Sequence, residues 1–266
     1  MAATIAQLLN DIPSQTPGLA TSGSALTDNS AMPFTPSLIF AFFFWSTAAF
    51  AAQPLVAVDV GHGLDEGGAI SARGRPEFEF NRQLAARLAD ALRDRRLVVR
   101  EINFAGRIGS LAERPRQAEG ADFFIAIHHD SIGENYLKDW VWQGQAQTYT
   151  EVKRGFGIFV SADNPDLPTS LRCASSMGAL LRRAGFTPST WHARKHLPAD
   201  AENGVWYYDN LLVLHRTTLP AVLFEAGVIK HRDEELELLD PQRQARMADA
   251  VATGIAGCLS VSGLPD

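Results

Sequence analysis

Cysteine is nearly absent from this 266-residue chain; the two present are Cys173 and Cys258. No C-x-x-C pair exists, which removes dithiol redox chemistry from consideration. Both cysteines lie beside apolar residues on stretches with helical spacing, and the expectation is two buried free thiols. An oxidising compartment would permit a disulfide instead. Long basic runs are missing too, and the formal net charge is −6. Nucleic acid and anionic lipid are therefore poor partners. No internal repeat is visible. Gly61-His62-Gly63 lacks the G-x-G-x-x-G register ahead of a helix, which excludes a dinucleotide-binding unit.

Residues 1–31 carry no Lys or Arg and show no sustained period. They read as an unstructured leader or a start-site artefact ahead of Met32. An apolar stretch from Leu38 to Trp45 follows, shorter than the roughly 20 residues of a spanning helix. Ala49-Phe50-Ala51 has the small-x-small form of an export cleavage site. Residues 32–51 thus read as a signal peptide, although no basic residue precedes its apolar core. Cleavage before Ala52 would leave 52–266, with no stable membrane insertion after processing. Setting aside Asp11 and Asp28, the only charged residues before Ala52, lowers the charge of −6 to −4 for that remainder.

The remainder has the length of one domain with a single core. Short apolar runs alternate with helical periods. Residues 55–60, 97–99, 123–127, 156–160 and 221–224 read as strands. Residues 80–92, 108–117, 171–184 and 236–259 read as helices, with Asp240-Pro241 marking a break in the last. The unbroken apolarity of 123–127 implies helices on both faces of the sheet. The fold expected is α/β, a single three-layer domain with a mostly parallel or mixed central sheet flanked by helices.

Four residues carry the chemistry. His62, His128 and Glu225 each sit at the end of an apolar run, where α/β sheets gather reactive groups. Glu77 lies just before the first helix. Two imidazoles and a carboxylate can hold one zinc and leave a position open. A fourth carboxylate can then carry a proton, so the pattern points to a metallohydrolase. Residue chemistry alone leaves choices open. Glu79 competes with Glu77, although it is also welcome in a first helical turn for its charge. His129 competes with His128, but neighbours on a strand face opposite ways. Glu225 could itself be a fourth ligand. Asp59 is close enough to the His62 turn to orient that imidazole, or to cap a loop amide.

"VAVDVGHGLDEGGA" at 56–69, "PEFEFNRQLA" at 76–85, "ERPRQAEGADFFIAIHHDS" at 113–131 and "NLLVLHRTTLPAVLFEAGVIKHRDE" at 210–234 occur in this order. Together they resemble the motifs of the zinc-dependent N-acetylmuramoyl-L-alanine amidases of bacterial cell walls. The resemblance implies one zinc ion on His62, Glu77 and His128, with Glu225 as the catalytic acid/base. It implies an arginine role for Arg114 near the sheet end and a place beside the ligand for Asn81. His129 stands where that family usually has a small residue, and substrate contact is one reading of it. The implied activity is cleavage of the amide between muramic acid and L-alanine in peptidoglycan, for wall remodelling or daughter-cell separation. The rivals are a zinc peptidase cutting within the stem peptide and a non-catalytic wall-binding module. The implied location is the periplasm, with a fully extracellular one as the alternative, and a periplasmic activator protein is an expected partner besides peptidoglycan.

Two aromatic segments remain. Residues 133–155 hold Trp140, Trp142 and Tyr149, suited to stacking on sugars or to forming a lid over the zinc. Trp206, Tyr207 and Tyr208 offer a second cleft wall. His192, His196, His215 and His231 read as surface or loop residues, and Asp65 and Glu66 as loop acids.

Overall fold

A computed structural model describes residues 52–261. The expectations for residues 1–31 and 32–51 fall outside these residues. Leu55–Val60 (β1), Val98–Ile102 (β2), Phe123–Asp130 (β3) and Ala221–Val228 (β9) form a parallel set in the order β2-β1-β3-β9. The sheet continues through Gly157–Val160 (β6), antiparallel to β9, then Val205–Tyr207 (β8) and Pro198–Asp200 (β7). It is a mixed sheet of seven strands among the described residues, flanked by helices.

Alternation along the strands divides two cores. Val56, Val58, Val60, Phe123, Ile125 and Ile127 face one side. There they meet Glu77–Asp94 (α1), Leu167–Arg183 (α3) and Pro241–Val261 (α6). The intervening residues Ala57, Phe124, Ala126 and Leu223 face the other side. This thinner layer contains Glu113–Ala118 (α2) and Leu212–His215 (α4). Continuing the second face to the strand ends brings up Asp59, His128 and Glu225, with His128 and Glu225 in register. The pleat therefore gathers these polar groups on one face.

Several boundaries depart from expectation. The helix expected over 108–117 forms only over 113–118; Pro115 sits in its first turn, where a missing N–H costs nothing. The closing stretch, by contrast, breaks where Asp240-Pro241 implied, into Glu234–Leu239 (α5) and α6. Pro241 cannot continue the α5 hydrogen bonds but starts a new helix well. Cys173 and Cys258 are joined in a disulfide across α3 and α6, with Cα atoms 5.2 Å apart. This corrects the expectation of free thiols. Helical spacing implies burial, but facing positions on two packed helices are invisible in a sequence separation of 85.

Residues 133–155 contain a hairpin of Lys138–Trp142 (β4) and Gln145–Tyr149 (β5). Trp140 Nε1 donates to the Ala72 carbonyl at 2.9 Å. The Arg73 guanidinium stacks over Trp140 and Trp142, at 5.3 and 4.7 Å from their centroids. These contacts anchor the hairpin to the 71–74 loop. No helix among the described residues is long and apolar enough to cross a membrane.

Candidate metal centre and active site

His62 stands in a tight turn after β1, with a left-handed φ of 64°. An unbranched polar residue tolerates this region only when its surroundings hold it there. Two buried groups do so. Asn103 donates from Nδ2 to the Val60 and His62 carbonyls at 2.8 and 2.5 Å. Arg114 donates to the same two carbonyls, at 2.5 Å to Val60 and 2.6 Å to His62, and pairs with Asp59 at 2.9 Å. Asp59 thus acts on the His62 backbone through Arg114, not on the imidazole itself, which corrects that alternative. Sequence reasoning misses Asn103; the chain turn at Asn103-Phe104-Ala105-Gly106 is the available signal.

Two glycines are needed for close approach. A Cβ at Gly61 would lie 2.4 Å from the His128 ring. One at Gly68, with φ +80°, would lie 2.7 Å from both Glu77 Oε2 and the His62 ring.

Glu77 opens α1 with its carboxylate between the two imidazoles. Its Oε2 is 3.1 Å from His62 Nε2 and its Oε1 is 3.1 Å from His128 Nδ1. Asn81 Nδ2 and the His129 amide donate to Oε1 at 3.1 and 3.2 Å, and the Ala69 amide donates to Oε2 at 3.2 Å. Burial alone would push the Glu77 carboxyl up, but both imidazoles hold it well below the usual range. Asn81 also donates to the Gly61 carbonyl at 3.1 Å. It therefore ties the first histidine turn, the carboxylate and β3 into one buried network.

His129 points to the opposite face from His128. It is buried against Phe80, and its Nδ1 hydrogen-bonds Asn81 Oδ1 at 2.8 Å. Burial pushes its pKa down to about 3, so it is neutral. It supports the network from behind and does not reach the cleft. Glu79 lies outward in an ion pair with Arg75 at 3.0 Å.

The donor atoms of His62, Glu77 and His128 lie within 4.8 Å of one another. Among the described residues this trio is the grouping of histidine, cysteine and acid side chains found able to hold a metal. Glu225 stands apart from it, with Oε2 buried and without a hydrogen-bond partner. Burial, reinforced by the Asp130 and Glu77 carboxylates, pushes its carboxyl well above the usual range, against a smaller opposing pull from Lys153.

Beside Glu225 lies a cluster that sequence reasoning misses. Lys153 Nζ pairs with Asp130 Oδ2 at 2.5 Å and donates to the Ser131 carbonyl at 2.8 Å. His192 is 5% exposed, so it is not the surface residue expected. His231 is likewise buried; its Nδ1 accepts from the Asp233 and Glu234 amides at the start of α5. Trp206 is core rather than cleft wall, packed with Phe159 and Leu223, while Tyr208 does line a cavity.

A profile of the N-acetylmuramoyl-L-alanine amidase family matches residues 56–257. No curated protein matches the chain. The catalytic domain of CwlV, an N-acetylmuramoyl-L-alanine amidase from Bacillus (Paenibacillus) polymyxa var. colistinus, is 26% identical with a TM-score of 0.61. The match covers 79% of this chain and 99% of that domain. An N-acetylmuramyl-L-alanine amidase from Mycobacterium smegmatis shares the fold at 21% identity and a TM-score of 0.64, over 79% of this chain and 98% of its own. The CwlD amidase of Clostridioides difficile, solved in complex with the GerS lipoprotein, does so at 18% identity and 0.60, over 79% and 100%. The chain belongs to the N-acetylmuramoyl-L-alanine amidase family, hydrolases of the amide bond between muramic acid and L-alanine.

Proposed function

We propose that this enzyme hydrolyses the muramoyl–L-alanine amide of peptidoglycan with one zinc ion held by His62, Glu77 and His128, and with Glu225 as the proton carrier. The observation that supports it most is the convergence of two imidazoles and one tethered carboxylate, with Glu225, whose buried Oε2 has no hydrogen-bond partner, in register with His128 on the neighbouring strand. Two nitrogen donors and one oxygen donor suit a catalytic zinc site, which keeps a position open. His62 is a third exposed, so the trio faces the surface on one side. A bound zinc ion would supply Lewis acidity, polarising the scissile carbonyl and making a water molecule acidic near neutrality.

The chain's own groups do the rest. Asn81, the His129 amide and the Ala69 amide fix both Glu77 oxygens before any ligand arrives. Glu225 takes a proton from the attacking water and hands it to the departing nitrogen, so that an amine leaves and a carboxylic acid remains. Its raised proton affinity suits the second half of that duty, and a nearby dication would favour the ionised form needed for the first.

The test is digestion of purified peptidoglycan with product identification by mass. The expected products are peptides with a new L-alanine amino terminus and an intact glycan. Release of fragments cut within the stem would make the protein a peptidase. Binding without cleavage would make it a wall-binding module. His62→Ala or His128→Ala should abolish cleavage and lower zinc content together.

Export to the periplasm is part of the same reading. The Cys173–Cys258 disulfide supports it, since such bonds persist in oxidising compartments. In a Gram-negative host the mature protein should begin at Ala52; cytoplasmic material retaining residues 38–51 would contradict this. An activating envelope partner also belongs to the proposal, and the CwlD–GerS complex shows that an amidase of this fold can bind a lipoprotein.

A further inference from the structure

Two cavities flank the centre, and their chemistry differs. The first, about 380 Å³, borders His62 and His128 and is walled by Ile108, Leu111, Val213 and Leu223. Asp65, Glu66 and Arg107 also line it. The second, about 310 Å³, is lined by Glu225, Asp130, His192, Trp191, Lys195 and Tyr208 among others. We propose that the second cavity receives the peptide side of the substrate, and that Lys195, which lines it, and Arg194, stacked on the lining residue Trp191, recognise that peptide's carboxylates. This rests on the amidase reading and on Glu225 as proton carrier.

Proton transfer sets the direction. The departing nitrogen belongs to the peptide and must lie within reach of its proton donor. Glu225 lines the second cavity and not the first. The nitrogen, and the chain attached to it, therefore occupy the second cavity, while the acyl side lies toward His62 and His128.

Charge points the same way. In the second cavity the Asp130 carboxylate is already paired with Lys153, so it offers little repulsion to an incoming anion. Lys195 has no ion pair among the described residues, and the Arg194 guanidinium lies 4.0 Å from the Trp191 ring centroid with none either. Lys195 thus lines the cavity without a paired acid, and Arg194 lies against its wall residue Trp191. In the first cavity the Asp59–Arg114 pair is internal, which leaves Asp65 and Glu66 against Arg107 alone. Away from the metal ligands a carboxylate would meet two acids against one cation there, a poorer match than the unpaired Lys195 of the second cavity.

A third observation marks the second cavity as built for a polar ligand. His192 is buried, yet its Nε2 makes no hydrogen bond and stands 3.4 Å from Asp130 Oδ2. A buried polar atom left unpaired costs stability, and a peptide amide would satisfy it.

The experiment compares two soluble N-acetylmuramoyl-L-alanyl peptides, one with free carboxylates beyond the alanine and one with those groups as carboxamides. The unaltered enzyme should show a KM roughly 3- to 10-fold lower for the carboxylate form, the scale of one or two partly exposed ion pairs. In R194Q/K195Q the ratio of the two KM values should fall toward one, and R194K/K195R should preserve it. Equal KM values in the unaltered enzyme, or an unchanged ratio in R194Q/K195Q, would overturn the assignment. Calorimetric titration with the free L-alanyl peptide separates this from the parent reading. If the muramoyl–alanine bond is not cut, the amidase reading fails, yet peptide binding still decides the subsite. Weaker binding by R194Q/K195Q supports it, and equal Kd values for the two proteins refute it.

Discussion

On one side of Glu225 the sheet is parallel, with β1, β3 and β9 built from apolar runs buried on both faces and β2 as a partly exposed edge; on the other it consists of β6, β8 and β7, strands of three or four residues with mixed directions. The parallel half carries His62, His128 and Glu225 at its strand ends, and α1 brings Glu77 to them. The irregular half, with the segments beside it, carries His192, Lys195 and Tyr208. The difference teaches how one site divides its work. The reacting centre needs a rigid frame fixed by strand register, whereas substrate contacts can sit on short strands and turns.

The comparison predicts unequal responses to damage. Arg114→Ala strikes the rigid half, removing the partner of buried Asp59 and two donors to the turn that carries His62. Breaking a buried pair from one side typically costs about 3–5 kcal/mol. Urea unfolding should show a loss of that size, with weaker zinc binding alongside. A loss below about 1 kcal/mol with normal zinc affinity would remove Arg114 from the frame.

The Cys173–Cys258 bond ties α3 to α6 beneath the sheet. Closing a loop of this separation, 85 residues, is worth about 4–5 kcal/mol in the chain-entropy account, with 2–5 typical of measured cases. Reduction, or the paired change C173A/C258A, should lower stability on that scale while leaving the KM for substrate nearly unchanged. An equal fall in substrate affinity would mean that the helix pair shapes the cleft.

His192 tests the irregular half through pH. Burial, with help from Lys153 and His196, pushes its pKa from 6.5 down to about 3. The unfolded chain therefore binds the proton more readily between those values. The stability contributed is complete above about pH 6.5 and is lost as pH falls toward 3, by up to a few kcal/mol. Unfolding midpoints at pH 7 and pH 5 should differ less for His192→Gln than for the unaltered protein. An identical difference in the two proteins would show that other groups carry the pH dependence.

The smallest effect belongs to the hairpin. Trp140→Ala removes one hydrogen bond to Ala72 and one stacking surface for Arg73, and no residue of β4 or β5 lines either flanking cavity. Stability should fall by about 1–3 kcal/mol with kcat nearly unchanged. A marked rise in kcat would instead reveal residues 133–155 as an inhibitory lid.

The same division explains what is legible in the sequence. Runs such as Phe123–Ile127 announce a strand covered on both faces, and a histidine or glutamate at such an end is conspicuous. His62, His128 and Glu225 thus stand out in the chain, whereas Glu77 and Arg114, off any strand end, are singled out by the family motifs. β7 and β8 are not, because three residues carry no readable period and exist as strands only through pairing with β6 and each other. His192 and Lys153 lie far apart in the chain and meet Asp130 only in the folded state. Trp140 and Trp142 are visible as aromatics, but their partner Arg73 lies nearly seventy residues earlier, on a loop whose position the hairpin itself helps define. The disulfide depends on helix facing, which periodicity alone does not supply.

The central claim is that His62, Glu77 and His128 hold the metal while Glu225 moves the proton. Glu225→Gln, with zinc content and the rate of muramoyl–L-alanine cleavage measured on one preparation, addresses it directly. The substitution keeps shape and one oxygen but cannot carry a proton near neutral pH. The account predicts about one zinc per chain and a rate lowered by about 10²–10⁴-fold. Retained zinc with a near-normal rate would remove Glu225 from the mechanism, and lost zinc would move it into the ligand set; either result would contradict the account.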